Sequence, residues 1–242
     1  MLSYETGYFC VMRLDKFLCE CNIGTRSEVK KLISKCVVSV NGQIVKSPDF
    51  HVDESKDEIK VQDKIIAYKK YTYIMLNKPS GIITASRDKH AETVMDLIKP
   101  LPARDLFAVG RLDKDTTGLL LICNDGQLSH KLLSPKYHVD KKYLVSLKEN
   151  ITDDAIKSLE AGVDIGDEEL TLPASVNKLN DTKIELTIHE GRYHQVKRML
   201  EAVNNEVIGL HRSTFGALVL DDDLKPGEWR ELDQNEIDSL IF

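Results

Sequence analysis

The stretch MRLDKFLCECNIGTRSEVKKLISKCVVSVNGQIV, residues 12–45, decides how the chain begins to fold. Leu14, Phe17 and Leu18 recur at the spacing of one helical face. Thr25 with Glu28 three residues on is a capping box, in which each side chain bonds the other's backbone N–H and opens a second helix. Val29, Leu32 and Ile33 then fall on the core side of that helix. Asn41 and Gly42 split VVSVNGQIV into two short strands, because this pair best adopts the positive φ angles of a tight hairpin turn. The order helix, helix, hairpin predicts a small N-terminal unit. A charged segment follows, whose one alternating stretch, at Ile59 and Val61, predicts a last strand before a linker near residues 66–71.

The bases concentrate in that first unit. The 242-residue chain carries a formal net charge of −6, but residues 221–238 alone hold eight acids against two bases, which leaves the remainder neutral. Residues 13–47 hold seven bases against three acids. A local positive field is what attraction to a polyanion requires, even in an acidic chain. With 42% hydrophobic and 30% charged residues, the length suits one large core or two unequal ones. No apolar run reaches the roughly 18 residues of a membrane span, and the start lacks a basic leader with a long apolar stretch, so a cytoplasmic protein is expected. The five cysteines, Cys10, Cys19, Cys21, Cys36 and Cys123, form no CxxC pair and no Cys/His cluster of ligand spacing. Reduced thiols and no metal are expected.

From about residue 72 the chain is rich in strand-like segments: TYIML, LLLIC, YLVSL, KIELTI and ALVL. Helical patterns interrupt them at 92–99, 127–133, 152–161 and 194–203. The two kinds do not alternate regularly, and no glycine-rich phosphate loop follows a strand. The class predicted is α+β, with a largely antiparallel mixed sheet and flanking helices.

Three segments of this second part carry chemistry. In GRLDKDTTGLLL, residues 110–121, an extended run through LFAVGRLD would put Asp113 and Asp115 on one face, spaced as an acid/base pair. The opposing reading is a turn, since Asp followed by Thr and Gly caps turns with side-chain hydrogen bonds. For Asp115, Thr116 and Thr117 the turn is expected. In KKYLVSL, Tyr143 sits in a strand beside Lys141 and Lys142. In HEGRYHQVKRML, residues 189–200, a turn at Gly191 leads into a helix whose start carries Arg192, His194, Lys197 and Arg198. Helix N-terminal amides and cations together favour anions, whether phosphate or an ionised aspartate.

Residues 12–45 resemble, over nearly their whole length, the RNA-binding module first named from ribosomal protein S-four, or alpha-L motif. The resemblance implies that Arg13, Lys16, Arg26, Lys30, Lys31 and Lys35 meet RNA. NKPSG (77–81), GRLDKDTTGLLL, KKYLV and EGRYHQVKRM are similar in order and spacing to the pseudouridine synthases, and to the RsuA type that modifies small-subunit ribosomal RNA. This resemblance runs from residue 12 to about 240. It implies an N-terminal extension (1–11, with Met12 matching the family's usual start), an S-four-type domain (12–67) and a catalytic domain (68–242). By position it makes Asp113 the catalytic aspartate, Tyr143 the tyrosine that stacks on the target base, and Lys197 the cation paired with the carboxylate. Arg111 would hold the RNA around the flipped nucleotide. Lys78, Arg192, His194 and Arg198 would complete the substrate contacts, with Arg192 and His194 equally suited to fixing the turn and helix start, and with Lys78 and Pro79 shaping the floor. Many relatives carry Arg where this chain has Lys197, so the fork-like pairing of a guanidinium is absent.

The implied reaction turns uridine into pseudouridine without redox change, and it requires neither metal nor organic cofactor. It needs an ionised carboxylate. Burial under RNA would raise that carboxyl's pKa, which a fixed cation offsets. The base must also leave its stack, an unfavourable step that aromatic stacking and phosphate contacts compensate. The implied partner is ribosomal RNA or a small-subunit assembly intermediate, met by a monomer, and the implied target is uridine 516 of the 16S RNA. Sister branches with the same motifs act on large-subunit RNA. Two other readings stay open from the residues alone: a non-catalytic RNA-binding assembly factor, and a hydrolase using Asp113 and Asp115. Trp229 is expected to pack the C-terminal segment, and the acidic run 221–223 to be a solvated turn.

Overall fold

In the computed structural model, which describes residues 11–69, 71–98 and 105–240, the capping box closes at the start of the second helix. The Thr25 N–H donates to Glu28 Oε2 at 2.8 Å, and the Thr25 hydroxyl accepts from the Glu28 N–H. The chain divides into two compact units that part after Tyr71.

The first unit runs β1 (Val11–Arg13), α1 (Leu14–Glu20), α2 (Arg26–Ser34), β2 (Val38–Val40), β3 (Gln43–Ile44), β4 (His51–Asp53), β5 (Ile59–Val61) and β6 (Lys64–Ile65). The hairpin between β2 and β3 turns on Asn41 and Gly42, with φ of 51° and 78°. Both angles are positive, as a type I′ turn requires. Four strands form a sheet in the order β3-β2-β5-β6, and β1 pairs separately with β4. Leu14, Phe17, Leu18, Val29, Ile33, Val38, Val52 and Ile59 are buried together as its core, with Leu32 packed against them. The strand β4 was not expected, since Val52 is its one buried residue and leaves almost no alternation to read. Residues 1–10 of the expected extension lie outside the described residues. Val11 belongs to β1, in register with Asp53.

The second unit runs β7 (Tyr73–Lys78), α3 (Val94–Leu97), β8 (Phe107–Ala108), β9 (Thr117–Cys123), α4 (Gly126–Leu133), a 3-10 turn (Pro135–Tyr137), β10 (Lys141–Leu147), α5 (Asp153–Ala161), β11 (Ser175–Asn180), β12 (Lys183–Ile188), α6 (Gln195–Ala202), β13 (Val207–Phe215), β14 (Leu218–Val219), β15 (Trp229–Glu231) and α7 (Gln234–Ser239). Among the described residues nine strands form one sheet, with the path β11-β12-β10-β13-β9-β7-β15 and with β14 on β13 and β8 on β9. All pairings are antiparallel except β13 with β9. The class is therefore α+β with a mixed sheet. The apolar runs of β7 and β9 are buried along almost their whole length, as strands covered on both faces must be. Trp229 sits in β15 and packs against the large core.

Strand β9 builds the site. Its one edge is shared: β13 pairs with Thr117 and Gly118 at one end, and β8 with Ile122 and Cys123 at the other. Residues 109–116 loop out between β8 and β9. The expected extension through LFAVGRLD therefore fails beyond Ala108. The chain leaves the sheet because β13 takes over the edge that β8 would otherwise continue along. Gly118 permits this crossing, since its φ is +101° and an added Cβ would collide with the Arg212 carbonyl.

Candidate active site

The loop 109–116 is held from below by a buried lysine. Lys78, at the end of β7, is fully buried, and its ammonium donates to the carbonyls of Pro79 (3.0 Å), Lys114 (3.2 Å) and Thr116 (2.9 Å). Burial pulls its pKa down to about 8, against the pull of Asp115 and Asp113 in the other direction. All three N–H groups are committed to backbone carbonyls. Lys78, expected in the floor of the site, positions the loop.

Above this floor the loop presents its carboxylates to α6. Lys197, in the first turn of α6, lies 3.2 Å from Asp113 Oδ2 and 2.7 and 2.8 Å from the two Asp115 oxygens. The expected pairing with Asp113 is present, but Asp115 is the closer partner. Asp115 was expected to cap a turn; instead its carboxylate reaches the lysine, while the turn is made by the Thr116 N–H donating to the Asp113 carbonyl. Its hydrogen bonds with Lys197 hold the Asp115 carboxyl below the usual carboxylate range. Burial works against the Lys197 ammonium, yet the hydrogen bonds to Asp115 and Asp113 outweigh it and raise its pKa. His194 Nε2 stands 3.5 Å from Asp113 Oδ1. Asp113 is therefore half-buried with two nitrogen-bearing side chains around it and an open side. Arg111, two residues earlier, is exposed, and no hydrogen bond or ion pair engages its guanidinium among the described residues.

The turn before α6 is locked by residues that sequence reading left without a role. Glu190 accepts from the Leu172 N–H, the Gln195 amide and Arg192 Nε, all at 2.9–3.0 Å. Gln195 is buried and also accepts from the Arg192 N–H at 2.9 Å. Arg192 donates further to the carbonyls of Glu169 and Leu170. Arg198 bonds the carbonyls of Tyr193 and Ile165 and the Asp167 carboxylate. Arg192, read either as a phosphate contact or as fixing the turn, and Arg198, read as a substrate contact, both tie the segment 165–170 to the start of α6. The motif EGRYHQV does contain Glu190 and Gln195. Their partners across the fold are what no local pattern could give.

Tyr143 lies on the buried face of β10, 7% exposed and packed in the large core. No hydrogen bond joins it to Asp113. Its cross-strand partner on β13 is Arg212, 2% exposed, whose Nε donates to the Leu119 carbonyl while Nη2 has no partner. Lys141, also on β10, is buried with its pKa pulled down to about 8 by burial and by Arg212. Sequence reading passed over Arg212 because nothing in RSTFGAL marks an arginine as interior.

On α2, Arg26, Lys30 and Lys31, and Lys35 at its C-terminal cap, are exposed and their side chains make no hydrogen bond or ion pair among the described residues. Arg13 makes a two-point pair with Asp15 at 3.0 and 2.9 Å. Lys16 lies 3.5 Å from Glu20. Cys19, Cys21, Cys36 and Cys123 form no disulfide among the described residues, and burial pushes Cys123 up to about 11. Among the described residues no helix is long and apolar enough to cross a membrane, and no group of His, Cys, Asp and Glu could hold a metal ion.

The RNA pseudouridylate synthase family model matches residues 72–202, the span that carries Asp113, Tyr143 and Lys197. The chain belongs to that family. These pseudouridylate synthases are isomerases, and an S4 domain match over residues 12–59 adds an RNA-binding module to this one. Over 95% of its length the chain is 46% identical to an RNA pseudouridine synthase of Bacillus subtilis, YtzG, covering 98% of it. It is 43% identical to ribosomal small subunit pseudouridine synthase A of Haemophilus influenzae and 41% identical to that of Escherichia coli, covering each completely and 95% of itself. A crystal structure of a pseudouridylate synthase, 42% identical, superposes with a TM-score of 0.68 over 95% of this chain and all of that one.

Proposed function

We propose that this pseudouridine synthase acts on small-subunit ribosomal RNA, with uridine 516 as target and Asp113 as the catalytic carboxylate. The reaction breaks the bond from ribose C1′ to base N1, turns the base, and joins C1′ to C5. The C5 proton leaves and N1 takes one, so no electron or group is gained. The single observation that carries the reading is the half-buried Asp113 held 3.2 Å from the Lys197 ammonium and left open on one side. A cation fixed there keeps a carboxylate ionised when RNA covers it, because the charge it would lose by desolvation is balanced locally.

In this reading Arg111, exposed and uncommitted on the same loop, holds RNA beside the flipped nucleotide. Tyr143 would face the base from β10. The three uncommitted cations of α2, with Lys35 at its end, supply phosphate contacts. The target rests on the small-subunit names of the Haemophilus and Escherichia relatives. Hydrolysis by an Asp113–Asp115 acid/base pair is disfavoured, because an acid catalyst needs a raised pKa and that of Asp115 is lowered.

Nucleotide-resolution mapping of pseudouridine in total rRNA from cells lacking the gene, complemented with wild type or Asp113→Asn, tests both parts. One site lost, and restored by wild type alone, is expected, with the variant slowed by roughly 10³-fold or more in vitro. An unchanged map overturns the rRNA target. Restoration by Asp113→Asn overturns the catalytic assignment.

A further inference from the structure

Tyr193 is 74% exposed, more than any other large hydrophobic side chain among the described residues. A scattered exposed aromatic is ordinary, but this one is neither loose nor remote. Its ring stacks on His194 with centroids 3.9 Å apart and planes 17° from parallel. His194 is held in the left-handed region, φ 47°, at the start of α6. The Tyr193 carbonyl accepts from Arg198 at 3.0 Å, and the Arg192 N–H just before it donates to buried Gln195. The lock on Arg192 and Arg198 described above therefore fixes the backbone that carries the tyrosine ring, and the stack on His194 orients the ring. The far side of the stack reaches the reacting centre, since His194 Nε2 is 3.5 Å from Asp113.

An outward aromatic face, fixed in advance and set beside cations, is what recognition of unpaired nucleobases uses. Ordering the ring before binding removes the entropy that a mobile side chain would give up when RNA arrives. Flipping a uridine out of its stack leaves neighbouring bases with an uncovered face, and such a face matches the tyrosine ring. Building on the function proposed above, we infer that the Tyr193–His194 stack is a platform for an unpaired base flanking the target uridine. It sets the position of the RNA strand against Asp113 and takes no part in bond making.

The test uses the full-length protein and the RNA segment whose uridine the wild-type enzyme converts, with 2-aminopurine placed one nucleotide 5′ or one nucleotide 3′ of that uridine. Wild type is expected to quench one of the two probes on binding. Tyr193→Ala loses the quench and raises Kd and KM by roughly 5- to 150-fold, with kcat at saturating RNA little changed. Tyr193→Phe keeps the ring and behaves as wild type. The melting temperature of Tyr193→Ala stays at the wild-type value, because the ring is exposed. A wild-type quench and Kd in Tyr193→Ala overturn the platform while leaving the catalytic reading standing, and so does a weakened affinity matched by a large loss of thermal stability. If the wild type converts no uridine, the reading beneath the inference falls and takes the platform with it.

Discussion

Lys197 serves two carboxylates of unequal importance. Asp115 has the shorter contacts, but its side chain is 68% exposed against 27% for Asp113, and a surface pair contributes only about 0–1 kcal/mol. Asp115→Asn is therefore expected to reduce kcat by about fivefold or less, against the near-complete loss for Asp113→Asn, as single-turnover rates with both variants would measure. The pair also sets a pH window. Asp115 is lowered from 3.8, so its contribution is present above that value and lost as pH falls through the lower folded value. Lys197 is raised from 10.5, so its contribution is present below that value and lost only as pH rises through the higher one. Both partners remain charged between 3.8 and 10.5. The resemblance to the synthases matched the lysine to Asp113, while the local pattern assigned Asp115 to a turn, because its partner lies 82 residues along the chain.

At the scale of elements, the loop 109–116 depends on β7 through one ammonium. The Lys78 pKa is lowered from 10.5 to about 8. Between those values the unfolded chain holds more protons than the folded one, so this group makes stability rise with pH there. The same deprotonation removes one of the three donors that the loop carbonyls share. Catalytic rate is therefore expected to decline above about pH 8 while the melting temperature does not fall in parallel through this group; rate and melting profiles over one pH series check it. No sequence pattern announces such a role, because the acceptors are main-chain oxygens. Helix α2 is the opposite case, legible from Thr25, Glu28 and the apolar spacing alone. Its exposed cations should appear as a salt dependence. Changing Lys30 and Lys31 to Gln is expected to lower the slope of log K against log salt by roughly 0.7–0.9 for each phosphate left without its cation, read from binding titrations at several ionic strengths. Strands β11 and β13 escaped sequence reading for physical reasons. The first is almost wholly exposed, and the second mixes Gly209, His211 and buried Arg212 into a central position.

Across the whole molecule, the two cores were legible because each draws on strong periodic runs, Leu14 to Ile33 in one and TYIML with LLLIC in the other. The order of strands was not, since a parallel pairing between β9 and β13 leaves no mark on either segment. That pairing has a consequence in time. During synthesis the loop bearing Asp113 leaves the ribosome long before β13, the strand that fixes the edge of β9, and before Lys197. A nascent chain that stops short of Lys197 has the acid without its cation and without the strand that bends the loop outward. On the proposed role of Asp113, the catalytic apparatus is complete only once Lys197 and β13 have been made, late in translation.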